Sequence, residues 1–256
     1  LLPSSVSAGF TAVYNSGTFT YDTTGAVVER DPAVPLVPQA YASFRLGESK
    51  RLAAGIGVWA PYGLGIELPE SFEGRYISWK SALRGIYIQP TVAYQVLPGK
   101  LAVGGGVQVV SGGIELNQRI DAAVTSLQLA SLGVPLGTDI AGANLAGSGI
   151  GFGGQLSAYY QVSDKLAIGA RYMFPVKLEL TGDADFEQIP QDDIILVVPG
   201  DTFSLTEAVA GQFAEGGALT DQGVEASLTF PPQAVIGFHY AVSDALAFSG
   251  DYQWTG

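Results

Sequence analysis

The chain has no cysteine, one histidine and one methionine, and only 14% of its 256 residues are charged. Without cysteine there is no disulfide scaffold and no thiolate-held metal. The lone His239 has no second ligand at metal spacing, which excludes the common imidazole sites. The charge fraction lies well below the roughly 25% of a soluble domain. What charge there is leans one way, to a net −12. Phosphate contacts need clustered Lys and Arg, so no nucleic-acid partner is expected. No run of about 20 apolar residues occurs, which excludes a transmembrane helix. The longest charge-free stretch, residues 140–163, is broken by glycines and by Asn144, Ser148 and Gln155. The opening Leu1-Leu2-Pro3-Ser4 lacks the basic region and apolar core of a signal peptide. An export signal is therefore expected to have been removed or to lie outside this chain.

What is present is apolar: 47% hydrophobic residues, with 34 Gly, 12 Tyr, 12 Phe and 3 Trp. Such a chain, lacking a spanning helix, must bury a very large core or face lipid through alternating strands. Glycine at crowded luminal positions and aromatics at two interfacial girdles are the usage of an outer-membrane barrel.

One hairpin plan occurs four times. Gln39-Ala40-Tyr41 leads to Arg51-Leu52-Ala53-Ala54-Gly55, and Ala93-Tyr94-Gln95-Val96 leads to Lys100-Leu101-Ala102-Val103-Gly104. The plan returns at residues 160–169, around Ser163-Asp164, and at 240–247, around Ser243-Asp244. Each copy is a strand ending near an aromatic, a tight polar turn, and a strand opening on Leu-Ala. The hairpins keep their length while the connections between them grow. Short turns at one rim and long loops at the other are expected, periplasmic and extracellular respectively.

Period-two alternation supports the strands. Ile86, Ile88, Pro90, Val92, Tyr94 and Val96 oppose Tyr87, Gln89, Thr91, Ala93 and Gln95. From Leu166 onward, Ile168, Ala170, Tyr172, Phe174, Val176, Leu178 and Leu180 are expected on one face. Arg171, Met173, Lys177 and Glu179 are expected on the other, toward the lumen. Nine strands are predicted, over 4–14, 37–46, 51–60, 83–97, 100–111, 150–162, 165–181, 224–242 and 245–255. A single domain over 1–256 follows, with long loops at about 112–149 and 182–223. Nine consecutive antiparallel strands leave edges that lipid does not tolerate, so further strands are expected beyond Gly256.

The two long loops carry apolar stripes. Asp121 is placed to cap a helix over Ala122–Leu132, closed by Gly133. Ser204-Leu205-Thr206-Glu207 matches a capping box, opening a helix that ends at Gly216 with Leu205, Val209 and Phe213 on one face. These stripes either pack the loops together or line an apolar groove above the barrel mouth. The groove reading assigns Leu127, Leu129, Leu132, Ile195, Val197 and Phe203 to it. It points to a hydrophobic small molecule, because a pore for hydrophilic solutes has little use for such a surface.

Gly149-Ile150-Gly151-Phe152-Gly153-Gly154 matches G-x-G-x-x-G, but a strand follows where a dinucleotide site needs a helix. These glycines are read as close packing against luminal contents. No Ser-His-Asp constellation or nucleophile elbow is present, so no enzyme activity and no cofactor are expected. The acids between Asp183 and Asp221 read as a solvated outer loop, able to meet divalent cations at a lipopolysaccharide surface. Arg171 and Lys177 are the candidates for an anionic head group in the lumen, against a plain internal salt bridge.

Several segments together resemble the FadL/TodX family of outer-membrane transporters. Gly57-Val58-Trp59-Ala60-Pro61-Tyr62-Gly63-Leu64 is similar to its G-V-x-x-P-F-G-L turn. Phe72-Glu73-Gly74-Arg75-Tyr76 and Pro90-Thr91-Val92-Ala93-Tyr94 resemble its G-R-Y and P-S-V-A-Y stretches. Residues 169–177 with Gly182-Asp183-Ala184-Asp185-Phe186 resemble Y-R-S-P-V…G-D-A-D-F, and Trp254-Thr255-Gly256 resembles W-T-G. The resemblance implies a fourteen-stranded barrel with an N-terminal hatch, here lacking the hatch and about five C-terminal strands. It implies passive passage of long-chain fatty acids or aromatic hydrocarbons, with sideways exit through the wall. Met173 stands where the family motif has arginine, and Arg171 lies two residues earlier on the same face. Trp59, Arg171, Met173 and Lys177 are accordingly the expected luminal contacts. A monomer in outer-membrane lipid and lipopolysaccharide is expected; the alternatives are a structural or adhesive barrel, or a soluble lipid- or sugar-binding β-sandwich.

Overall fold

The alternating segments form strands, and the strands join into one antiparallel sheet in the computed structural model. It describes residues 4–22, 24–30, 32 and 34–256. The strands begin with β1 (Ser5–Ala12), a small hairpin of β2 (Thr18–Thr20) and β3 (Val27–Glu29), then β4 (Leu36–Leu46) and β5 (Leu52–Glu67). β6 (Lys80–Leu97), β7 (Leu101–Asp121), β8 (Asp139–Gln161), β9 (Leu166–Met173) and β10 (Val176–Gln188) follow. A second small hairpin, β11 (Ile195–Val198) and β12 (Asp201–Ser204), precedes β13 (Gln222–Phe230), β14 (Gln233–Ser243) and β15 (Leu246–Thr255).

The wall runs β1-β4-β5-β6-β7-β8-β9-β14-β15, nine strands as expected from the pattern. β10 continues β9 beyond Phe174-Pro175, and β13 meets β14 across Pro231-Pro232. Met173 faces Gln233 and Val176 faces Phe230, so the two interrupted strands stay in step with each other across both breaks. Proline has no N–H to donate, so the ladder opens at these points.

The strands are longer than the alternation suggested. β7 has 21 residues and β8 has 23, where spanning a bilayer takes about 9–11 tilted residues. They stay paired up to Asp121↔Asp139, well above the apolar belt. The loops expected at about 112–149 and 182–223 therefore shrink to 122–138 and 189–221. Glu115, Asn117, Arg119 and Asn144 lie in that upper extension, where no lipid enforces an apolar face and the period-two signal fades.

A second correction concerns phase. Gln155 pairs with Met173, but Gly151 pairs with Leu178. Between these pairs β8 advances four residues and its neighbour five, a one-residue bulge at Phe174-Pro175. Such a slip sends every later side chain to the other face. Val176, Leu178 and Leu180 thus turn inward and are buried. Lys177 and Glu179 turn outward and pair with each other at 2.6 Å.

The inward course of β10 needs a bare surface to lie on. A Cβ at Gly151 would stand 2.5 Å from the Lys177 carbonyl oxygen, and one at Gly153 would stand 2.6 Å from Val176 Cγ2. The glycines of the G-x-G-x-x-G segment admit this crossing of one strand over another.

At the extracellular end the loops form their own core. Asp121 caps α1 (Ala122–Thr125), its carboxylate accepting from the amides of Ala123 and Val124. Ser126 then breaks the expected single helix by capping α2 (Leu127–Ser131). α3 (Leu205–Phe213) opens with the expected capping box between Ser204 and Glu207. Leu129, Ile140, Leu196, Leu205 and Val209 are buried together, with Leu132, Phe203 and Phe213 packed on them.

Candidate functional site: a luminal cavity beneath an aromatic cluster

Below the proline breaks the inner face is polar. Ser43, Gln89, Thr91, Gln108, Arg171 and Gln233 come from five strands, β4, β6, β7, β9 and β14, that each present alternate residues inward. Gln108 donates to Gln89 Oε1 at 2.7 Å, and Gln89 donates to Thr91 Oγ1 at 2.9 Å. A cavity of about 610 Å³ lies against this face, bordered by Tyr41, Trp59, Gln89, Thr91, Arg171 and Gln233. Among the described residues no carboxylate pairs with the Arg171 guanidinium. A cation held by the wall without a counter-ion is suited to meet a polar or anionic group entering from the cavity.

Above the breaks the inner face is apolar and packed. Tyr87, Val110, Met173, Val176, Leu178 and Phe230 are buried as one cluster, with Trp59, Tyr62, Leu83 and Leu228 against it. Tyr62 and Phe230 stack with centroids 4.9 Å apart and planes 4° apart.

The wall beside the cavity is not continuous. β4 pairs with β5 only from Leu46↔Leu52 to Ala40↔Val58. β4 goes on to Leu36 along β1, and β5 to Glu67 along β6, without pairing each other. The parting coincides with a register shift in β5 between Trp59 and Tyr62, where Ala60-Pro61 bulges. Tyr41, Gly57, Trp59 and Pro61 border both the gap and the cavity.

The loops above are clamped by the Gly74-Arg75-Tyr76 segment. Arg75 Nε lies 3.0 Å from Asp139 Oδ2, and the Tyr76 hydroxyl donates to Asp139 Oδ1 at 2.6 Å. Burial, and then the hydrogen bond to Asp139, push the Tyr76 phenol above its ordinary value. Arg119 and Glu70 form a second ion pair between β7 and the loop after β5.

Of the expected luminal residues, Trp59 and Arg171 line the cavity and Met173 sits 1% exposed in the cluster above it. Lys177 is on the outer face, carried there by the bulge at Pro175. The expected groove residues do not converge. Leu129, Leu132 and Phe203 are in the loop core, whereas Leu127, Ile195 and Val197 are exposed. β11 alternates, so Leu196 faces in and its neighbours face out. The reading of residues missed Tyr62, Tyr87 and Phe230. For Tyr62 and Phe230 the available signal was an aromatic directly beside a proline, at Pro61 and at Pro231; Tyr87 carries none beyond its inward place in the alternation.

No described helix is long and apolar enough to cross a membrane. The strands do the crossing, and their outward faces carry Phe44, Ile56, Ile88, Val92, Phe152 and Phe238, all exposed. A belt of this kind around a polar lumen defines a transmembrane β-barrel protein of the Gram-negative outer membrane.

The particular family follows from the sequence profile of "Outer membrane protein transport protein (OMPP1/FadL/TodX)", which matches residues 4–256. The chain belongs to that family. Its fold is similar to a Pseudomonas aeruginosa FadL homologue, with TM-score 0.71, 15% identity, 97% of this chain and 58% of that one. It is also similar to the Pseudomonas putida toluene transporter TodX, with TM-score 0.59, 17% identity and the same two coverages. The chain thus spans somewhat over half the length of these structures. Among curated proteins, none matches by sequence.

Proposed function

We propose that the protein passes hydrophobic small molecules across the outer membrane, by diffusion and without covalent chemistry or a cofactor. Long-chain fatty acids and aromatic hydrocarbons are the substrate classes; the second is also what the similar TodX is named for. The observation that carries this reading is the cavity of about 610 Å³ beside the unpaired stretch of β4 and β5. A molecule leaving there enters lipid directly and never crosses the aqueous periplasmic end.

In this reading the exposed Leu127, Ile195 and Val197 offer the first apolar contacts. Leu129, Leu132 and Phe203 hold the loop core behind them. Trp59 then contacts the apolar body of the substrate, Met173 roofs the cavity, and Arg171 meets its polar end. Lys177, being outside and paired with Glu179, takes no part in the passage. The protein works as a monomer, with outer-membrane lipid as the acceptor.

The test is uptake of labelled oleate and of toluene by cells carrying the full-length protein. Expected is uptake well above that of cells lacking it, reduced when Trp59→Ala is introduced. Equal uptake with and without the protein would leave a structural or adhesive barrel as the better reading.

A further inference from the structure

The aromatic cluster does more than fill space between neighbouring strands. Tyr62 belongs to β5 and Phe230 to β13, which are five positions apart around the wall through β6, β7, β8 and β10. Their stack therefore crosses the lumen. Each ring stands beside a proline break, Tyr62 directly after Pro61 and Phe230 directly before Pro231. The Tyr62 hydroxyl donates to the Pro231 carbonyl oxygen at 2.8 Å, tying the bend of one wall to the bend of the other.

The opposite wall is cut to receive the ring. A Cβ at Gly85 of β6 would stand 2.6 Å from Phe230 Cζ. One at Gly112 of β7 would stand 2.6 Å from Leu178 Cδ2 and 3.3 Å from Phe230 Cε2. Tyr87 completes the layer, 1% exposed and 6.0 Å from each of the two rings. Above this layer lie the loop core and the extracellular rim; below it lies the polar cavity. Between β5 and β13 themselves there is one ring stack and one hydrogen bond and no strand ladder, and the remaining contacts of the layer are side-chain packing. They can part without unzipping the wall.

From this geometry we infer that Tyr62 and Phe230 form an aromatic gate across the lumen. It bars water, ions and small hydrophilic solutes, and flat or flexible apolar molecules pass by parting the rings. This deepens the transport reading above and rests on it for the identity of the passing molecule. The barrier to ions does not rest on it. An apolar solute replaces ring contacts with its own as it enters, whereas a hydrated ion must shed water for ring contacts far weaker than the hydration it loses.

The full-length protein in planar bilayers supplies the first test. Phe230→Ala empties the seat at Gly85 and Gly112 and is expected to raise single-channel conductance at least ten-fold. Phe230→Leu, which keeps an apolar filler but ends the stack, is expected to give a smaller rise and guards against a misfolded alanine variant. Wild-type conductance from both variants, in barrels that keep heat-modifiable gel migration, overturns the gate. The second test uses the absence of cysteine from the chain. Tyr62→Cys together with Phe230→Cys, bridged by a short cleavable bis-thiol cross-linker, should lower toluene uptake ten-fold and recover it on cleavage. Unchanged uptake in the bridged protein removes the pair from the path. If the wild type takes up no apolar compound, the transport reading fails and the conductance result alone decides the gate.

Discussion

The two halves of the lumen are built from the same nine strands, yet they differ in kind. Below the proline breaks, amides and hydroxyls face a cavity, and Gln108, buried, is held by Gln89. Above them, methylenes and rings are packed against glycine, with Val110, Val176 and Leu178 fully buried. What separates the halves is a single-residue slip at Phe174-Pro175 and a matching break at Pro231-Pro232. The comparison teaches that a barrel can change the character of its lumen partway up without changing strand count. One bulge exchanges the faces of a strand, and whatever faced lipid below then fills the lumen above.

The contrast can be broken most severely in the packed half. Tyr87→Ala removes a buried ring touched by Trp59, Tyr62 and Phe230. It should cost about 3–5 kcal/mol, the range for deleting a buried aromatic, read by urea unfolding in detergent micelles. Next comes the polar half. Gln89→Ala leaves the buried Gln108 amide without its acceptor and should cost about 1–3 kcal/mol in the same assay. A result equal to that for Tyr87→Ala would erase the distinction between the halves.

A comparable effect is expected in the loops, through the Arg75–Tyr76–Asp139 clamp. Asp139→Ala strips Arg75 and Tyr76 of their shared acceptor and should cost about 1–3 kcal/mol, seen as faster proteolysis after Arg75. The pH dependence has a definite sign. The Tyr76 phenol is raised in the fold, so its protonated form is the one favoured there. Its contribution is complete below the ordinary tyrosine pKa of about 10 and is lost as pH rises through the raised value. Proteolysis at neutral and mildly alkaline pH should therefore match.

The smallest effect is expected outside the wall. Lys177→Gln breaks an exposed pair with Glu179 and should change stability by about 0–1 kcal/mol, leaving oleate uptake as it was. A marked loss of uptake would return Lys177 to the lumen and void the bulge at Pro175. Arg171→Gln sharpens the same point from inside. Stability should hold within about 0.5 kcal/mol, while uptake of oleate falls relative to toluene.

Much of the wall was legible along the chain because lipid on one side and a polar lumen on the other force period-two alternation. Ile86 to Val96 is read correctly for that reason. The turns were legible from Pro98-Gly99 and Ser163-Asp164, where backbone geometry restricts the choice of residue; Gly99 has φ +71°. The helix caps at Asp121 and Ser204 were legible because they are local. Lys177 was misplaced because a bulge leaves no mark in alternation beyond a proline. Leu129, Leu132 and Phe203 lie in the loop core rather than on an open groove, because an apolar side chain in a loop carries no local mark of which neighbour it will pack against.

The chain's composition and periodicity determined, by themselves, a membrane barrel: few charges, no spanning helix, glycine and aromatics on alternating strands. Lipid imposes that code residue by residue, so it can be read residue by residue. Which residues meet inside was decided only by the tertiary structure. Tyr62 and Phe230 are 168 positions apart. They meet because the wall curls round the lumen and each strand is bent at a proline. Pairing of that kind depends on the curvature and stagger of the whole sheet, and no local pattern encodes it.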